Sequence, residues 1–362
     1  METDVLIIGA GPAGLVAAFE TVSRGLDVVM IDESSNLGGQ LVQQTQMLSL
    51  LPSQFSPMRG FELAELLISQ LNEYPVKILL NHTFVGLYQD GSIGVSDGNN
   101  VFSITARKVI VTTGAAERAI PFKKWTLPGV MTIGAAQTLI NRNFVVPGKK
   151  AVICGSSDFA LDVAIQLKQV GVEIDGIIEK SNKLTALNQD KIERMTEEHI
   201  PYYLHSFITE VKGNGQVEEV YVQLDQEIKT FHADLVCVDG GRKPITEVFY
   251  QLDCTFSYQE KLGGWVPHYN ERLQSSQNRV YLGGNAAGVS FHGVILLTGM
   301  IAGISVCEDL GALEIDEANS LRDSLFKEIK IIESKQAPHL WIERMTHIEN
   351  FLHPQLKDQF IS

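Results

Sequence analysis

Cysteine is sparse in this chain of 362 residues: Cys154, Cys237, Cys254 and Cys307 stand 83, 17 and 53 residues apart. That spacing leaves neither a Cys-x-x-Cys redox pair nor a zinc-ligand pair. Basic charge is also short, with 29 Lys plus Arg against 43 Asp plus Glu and a formal net charge of −14. Such a balance disfavours nucleic acid and anionic membrane surfaces as partners. The longest apolar stretches, Val5–Phe19 and Gly293–Val306, are interrupted by glycines and fall short of the ~20 residues of a bilayer span, so no membrane partner is expected. The opening Met-Glu-Thr-Asp lacks the basic region of a secretory leader, and the cytoplasm is the expected location. What remains is a globular composition, 44% hydrophobic and 20% charged, over a length that suits about two domains.

The apolar pattern supplies the organisation. Asp4–Ile8 reads as a strand, Gly9–Gly14 as a turn, Pro12–Arg24 as a helix and Asp27–Ile31 as a second strand ending at Asp32-Glu33, which together make one βαβ unit. A helix over Phe61–Asn72 and short strands at Val76–Leu80, Phe84–Tyr88, Ile93–Ser96 and Val101–Thr105 follow, then a separate buried strand, Lys108–Thr112. From Ala151 the plan repeats: strand Ala151–Cys154, turn Gly155–Asp158, helix Phe159–Val170, strand Glu173–Ile178 and an acidic stop at Glu179. A further strand, Arg279–Leu282, and an apolar helix, Val294–Leu310, could complete the first sheet, which makes the second domain an insertion. Asp316–Ser362 reads as two amphipathic helices broken at Ala337-Pro338, either a helical cover or an oligomer contact.

Gly9-Ala10-Gly11-Pro12-Ala13-Gly14 is a G-x-G-x-x-G run between a strand and a helix. The first glycine suits the tight turn, the second admits a pyrophosphate, the third lets helix pack on strand, and the helix N-terminus offers N–H groups. Asp32-Glu33, with Asp32 preferred, is placed to bind a ribose and would repel a 2′-phosphate, so an adenosine with free hydroxyls, as in FAD or NAD, is expected. Gly155-Ser156-Ser157-Asp158-Phe159-Ala160 holds the matching place in the second unit, with Ser157 replacing the glycine of close approach. Two readings stand there: an NAD site with Glu179 on the ribose, NADH before NADPH, or a βαβ scaffold that binds no nucleotide. His199, His205 and His232 lack metal-ligand spacing, so no metal is expected. Trp125 and Trp265 suit interdomain packing better than substrate stacking.

Gly9–Gly14, Gly38-Gly39-Gln40-Leu41, Val109–Ala115 and Val280–Gly288 resemble the FAD-dependent pyridine nucleotide oxidoreductases of the thioredoxin reductase type. Glu117–Phe122, Trp125–Thr132 and Gly134–Gln137 resemble, more narrowly, the FAD subunits of opine oxidase, hydrogen cyanide synthase, sarcosine oxidase and proline or hydroxyproline dehydrogenases. The resemblance implies FAD extended over the first domain: pyrophosphate at Gly9, Gly11, Pro12, Ala13 and Gly14, ribose at Asp32 and Glu33, and the ring system near Gly39, Gln40 and Thr45. Thr113 and Gly114 would pass close by. Gly284 and Asn285 would hold the ribityl chain and pyrophosphate; Asn285 stands where the family usually has Asp, which predicts weaker hold on FAD. The helix starting near His292-Gly293 would point at the flavin, with His292 as a flavin-tuning or substrate-facing candidate or, equally, a helix cap.

The expected architecture is therefore α/β, with two Rossmann-like domains, the second inserted in the first, plus C-terminal helices. The FAD domain takes 1–118 and 246–310, an NAD(P)-binding-like domain 119–245 and the helical extension 311–362. The expected function is an FAD-dependent oxidoreductase without a redox dithiol, a flavin subunit of an amine or amino-acid dehydrogenase or oxidase. It would pass electrons between flavin, NADH and a redox partner, either another chain of a heteromer or an iron–sulfur protein, with a small molecule as substrate and a homo-oligomer or heteromer as assembly. The alternatives are a stand-alone NAD(P)H:acceptor reductase of the ferredoxin-reductase kind and a flavin- or nucleotide-binding regulatory protein with a decayed NAD site.

Overall fold

The computed structural model describes residues 1–352. The chain forms two compact units, one made of Met1–Ala116 together with the chain from Lys243 onward, the other of Glu117–Arg242. The helices among the described residues are α1 (Pro12–Val22), α2 (Gly60–Leu71), α3 (Ile133–Asn141), α4 (Asp158–Gln169), α5 (Gln189–Glu197), α6 (Glu247–Gln251), α7 (His292–Asp309), α8 (Ile315–Gln336) and α9 (Pro338–Leu352).

In the first unit the strands β1 (Glu2–Ile8) and β2 (Val28–Asp32) bury consecutive rather than alternate residues. Such runs belong to parallel strands covered on both faces. β1 pairs in parallel with β2 on one side and with Val101–Val111 on the other; Lys77–Leu80 extends the sheet past β2, and Val280–Leu282 past Val101–Val111. The separate strands expected at Val101–Thr105 and Lys108–Thr112 are a single strand. No turn residue interrupts it, and its burial alternates through Ile104 and Ala106 before becoming continuous at Val109. It therefore leaves an antiparallel meander with Ile93–Ser96 and Thr83–Leu87 and enters the parallel sheet unbroken.

α7 has the length and apolarity of a membrane span, but every residue from Gly293 to Cys307 is buried in the protein. α1 meets it at backbone distance. A Cβ on Gly299 would run into the Ala13 carbonyl, and one on Gly303 would stand 2.7 Å from the Glu20 Cβ and 3.1 Å from the Ala17 carbonyl oxygen. Two glycines one turn apart thus give α7 a flat face on which α1 lies. α8 and α9 then cover the unit, burying Ala318, Ile329, Ile332, Leu340 and Ile348. Pro338 opens α9, where a missing N–H costs nothing. The part of the expected final helix beyond residue 352 lies outside the described residues.

The second unit has a parallel sheet in the order Val130–Thr132, Leu235–Val238, Lys150–Cys154, Glu173–Ile178, Tyr202–Tyr203. An antiparallel ribbon, Ser206–Lys212, Glu219–Leu224 and Glu227–Phe231, accompanies it. Trp125 is 41% and Trp265 54% exposed, and the latter leans edge-on against Tyr258 of its own hairpin.

The C-terminal end of α7 is held by charge. Asp309 accepts Lys108 Nζ at 2.5 Å, Arg272 at 2.5 Å and the Tyr281 hydroxyl, and Glu308 accepts Arg322 at 2.5 Å. Burial opposes the charge on Asp309, but the donors from Lys108, Tyr281 and Arg272 outweigh it and hold the carboxyl below its ordinary 3.8. A folded value below the unfolded one means that this stabilisation is full above that pH and is lost as pH falls through the folded value. Asp309→Asn is expected to cost about 2–3 kcal/mol at neutral pH. In urea denaturation over a pH series, that deficit should shrink as pH falls below 3.8.

Candidate functional site

β1 ends at Ile8 and the chain turns sharply at Gly9 (φ +109°), where a Cβ would stand 2.5 Å from the Thr112 carbonyl oxygen. A Cβ on Gly14 would fall onto the Gly9 carbonyl. The protein's own backbone therefore requires these two glycines. Gly11 is different: a Cβ there meets nothing within 4 Å. It is the N-cap of α1, Pro12 follows, and no side chain caps the helix. The result is open space above unsatisfied N–H groups at the positive end of a helix, an arrangement that suits an anion.

Four segments converge on this turn. The Thr112 hydroxyl donates to the Gly9 carbonyl at 2.7 Å. Asp32 accepts the Ala10 N–H at 2.6 Å on one oxygen and the Ser34 N–H at 2.7 Å on the other. Gly38 N–H donates to Ala10, and a Cβ on Gly39 would lie 2.9 Å from the Gly11 Cα. From the far end of the unit, a Cβ on Gly284 would lie 2.9 Å from that of Ala13. This brings Gly9, Gly11, Pro12, Ala13, Gly14, Asp32, Gly39 and Gly284 together, with Asn285 next in the chain. A carboxylate has about four acceptor sites, so Asp32, half-buried and using two, retains capacity for a ribose hydroxyl; Glu33 is exposed.

The neighbouring candidates fall less directly on the turn. Gln40 accepts the Gln43 amide across the short helical turn Gly39–Gln43, Thr45 is half-buried just beyond it, and the Gln44 Oε1 is buried with no hydrogen-bond partner. Thr113 and Gly114 hold the returning chain through Ile245, at 3.3 Å and 3.1 Å. The residue of that run that touches the turn is Thr112, which lies in the Val109–Ala115 motif beside the two candidates, Thr113 and Gly114. His292 is the first residue of α7 and half-buried; the adjacent Gly293 N–H is already donated to the Leu50 carbonyl at 2.9 Å.

In the second unit the equivalent turn, Gly155 (φ +101°), leads into α4. Here the protein answers its own helix end. The Ser157 hydroxyl accepts the Ala160 N–H at 3.3 Å, and the Ser157 N–H donates at 3.1 Å to the Asp239 carboxylate. An internal anion thus occupies the donor that a pyrophosphate would use. Glu179, unlike the half-buried Asp32, is buried, and it accepts the Ser156 hydroxyl at 2.5 Å and the Ser181 N–H at 2.8 Å. The residues of the first unit fit a dinucleotide; those of the second do not fit one. Asp239, 82 residues from its partner, is invisible to motif reading.

All four cysteines are buried and free. Burial pushes the thiols of Cys154, Cys237 and Cys307 up to about 12, with Asp239 and Glu179 adding to the effect at Cys154. None is a nucleophile at neutral pH. The turn glycines give the sharpest mutational contrast. Gly14→Ala forces the backbone and should cost more than about 2 kcal/mol, whereas Gly11→Ala should cost less than about 1 kcal/mol, as read by chemical denaturation of the unliganded protein.

The chain is similar to several known proteins. One of the opine oxidase subunits of Rhizobium meliloti (strain 1021) is 26% identical over 339 residues, covering 87% of this chain and 72% of that protein. The HcnB subunit of hydrogen cyanide synthase from Pseudomonas aeruginosa is 26% identical over 384 residues, covering 96% of this chain and 79% of that one. The crystal structure of L-proline dehydrogenase from P. horikoshii superposes with a TM-score of 0.71 at 24% identity, over 89% of this chain and 59% of that chain, a likeness of fold. The sequence profile of the pyridine nucleotide-disulphide oxidoreductases matches residues 3–306, and the chain, an oxidoreductase with Rossmann-type sheets, belongs to that family.

Proposed function

We propose that the chain is the flavin subunit of an amine or amino-acid dehydrogenase or oxidase, holding FAD in its first unit and delivering electrons to a redox partner. The observation that carries this reading is the contrast between two helix ends, α1 open above Gly11 and α4 closed by Ser157 and Asp239. FAD, when bound, supplies two-electron chemistry, accepting hydride equivalents from an amine carbon and returning them to an acceptor. The chain's own residues do the holding. The N–H groups at the start of α1 would take the pyrophosphate, with Gly9 and Gly14 shaping the turn and Gly11, Pro12 and Ala13 leaving room. Asp32 would take the ribose, and its charge would exclude a 2′-phosphate. Gly39, Gln40, Thr45 and the unsatisfied carbonyl of Gln44 would face the ring system, Thr113 and Gly114 the exit of the chain, and Gly284 and Asn285 the linking phosphates. His292 is the candidate side chain toward substrate.

Two relatives are named as subunits of larger enzymes, which supports a heteromeric partner here. With no ionisable thiol and no nucleotide cradle in the second unit, neither a thioredoxin-type relay nor an NADH entry point is assigned. The stand-alone NAD(P)H reductase reading needs the Gly155–Ala160 turn to take a nucleotide, and the Asp239 carboxylate opposes it.

The test is anaerobic titration of the purified chain. FAD should bind with an oxidised-flavin spectrum, Gly11→Ala should weaken it by at least about tenfold, and NADH and NADPH should leave the spectrum unchanged. Rapid bleaching by NADH in the chain alone would replace this reading with the reductase.

A further inference from the structure

The family profile ends at residue 306, so α8 and α9 lie beyond it. Yet the two helices contribute the most deeply buried charges among the described residues, and these bind the segment that follows Gly284. Arg344 of α9 is 1% exposed and Glu333 of α8 0%. They pair at 2.9 Å, and both reach the segment that follows Gly284. Arg344 donates to the Ala287 carbonyl at 2.9 Å and to the Tyr269 hydroxyl at 3.0 Å, while Tyr269 itself donates to the same carbonyl at 2.9 Å. Glu333 accepts the Ser290 hydroxyl at 2.7 Å. Ser290 in turn donates its backbone N–H to the side-chain oxygen of Asn285 at 3.1 Å.

That last bond fixes the amide. A backbone N–H can only donate, so the atom facing it must be Oδ1, and the Nδ2 donors are turned to the other side. Gly284, the residue before Asn285, abuts Ala13 at the open end of α1, where a Cβ on Gly284 would lie 2.9 Å from that of Ala13.

We propose that α8 and α9 form a clamp behind the dinucleotide site, in which Arg344 and Glu333 are positioning residues that, through Ser290, orient Asn285 to donate to the bound dinucleotide. The proposal rests on the reading that the first unit holds FAD. It explains why a fully buried ion pair stands here: such a pair is weak as a source of stability but strong as a device of geometry.

The experiment compares FAD dissociation constants and denaturation midpoints of the whole chain and its variants. Glu333→Leu with Arg344→Met removes the pair without stranding a buried charge, and should keep the midpoint close to that of the wild type. FAD affinity should fall about tenfold, the scale of one lost hydrogen bond. Asn285→Ala alone should give a similar loss, and adding it to the double variant should give no further loss, because both act on one contact. A folded double variant with wild-type affinity, or a triple variant whose losses multiply, overturns the clamp. Should the double variant not fold, Ser290→Ala decides: FAD binding weakened several-fold supports the proposal, and unchanged binding overturns it. If the wild type binds no FAD, the flavin reading fails by itself, and the same series is read with ADP, whose pyrophosphate loads the same turn. A wild type that binds neither overturns both.

Discussion

A helix that starts without a side-chain cap presents several N–H groups with no partner and a local excess of positive potential, and something must answer it. The chain contains the same strand, turn and helix twice and answers this demand in two ways. At α1 the protein supplies only the frame: Thr112, Asp32 and the backbone of Gly38 bind the carbonyls and amides of the turn, and the space over Gly11 is kept clear. At α4 a serine hydroxyl and a carboxylate are brought in, and the demand is met internally. The proposal that the first unit holds the dinucleotide follows from this difference.

The frame around α1 is assembled from distant parts of the chain. Strand Val101–Val111 delivers Thr112, β2 delivers Asp32, and Val280–Leu282 delivers the Gly284 turn, so a parallel sheet whose strands end together is what gathers the site. Close packing of α1 on α7, through Gly299 and Gly303, then sets the depth at which the turn lies. Small residues perform this task because a side chain at either position would lift α1 away from the sheet.

The parts of this arrangement that are legible in the sequence are those with a local cause. β1, the Gly9–Gly14 turn and α1 follow from period and from glycine spacing, and the substitution of serine at 157 marks the second turn as altered. The consequence of that substitution is not legible, because it depends on Asp239, which comes near only when Leu235–Val238 pairs with Lys150–Cys154. The long strand Val101–Val111 reads as two because Arg107 and Lys108 interrupt its apolar pattern, although on the two faces of one strand Arg107 pairs with Asp4 and Lys108 with Asp309. Glu333 and Arg344 are hidden for the opposite reason. On an amphipathic helix a charge reads as the solvent face, and only its partner, on another helix, allows it inside.

The division of the chain has a consequence for biogenesis. Glu117–Arg242 is one continuous stretch, whereas the unit around α1 is written in two pieces with that stretch between them. As the chain is made from its N-terminus, the continuous unit can close as soon as it emerges, while β1 and α1 must wait with an exposed apolar surface for α7, α8 and α9. The early half of the discontinuous unit is therefore the segment with most to gain from a chaperone, and the frame around its Gly9–Gly14 turn is completed only once the Gly284 turn and α7 have been made.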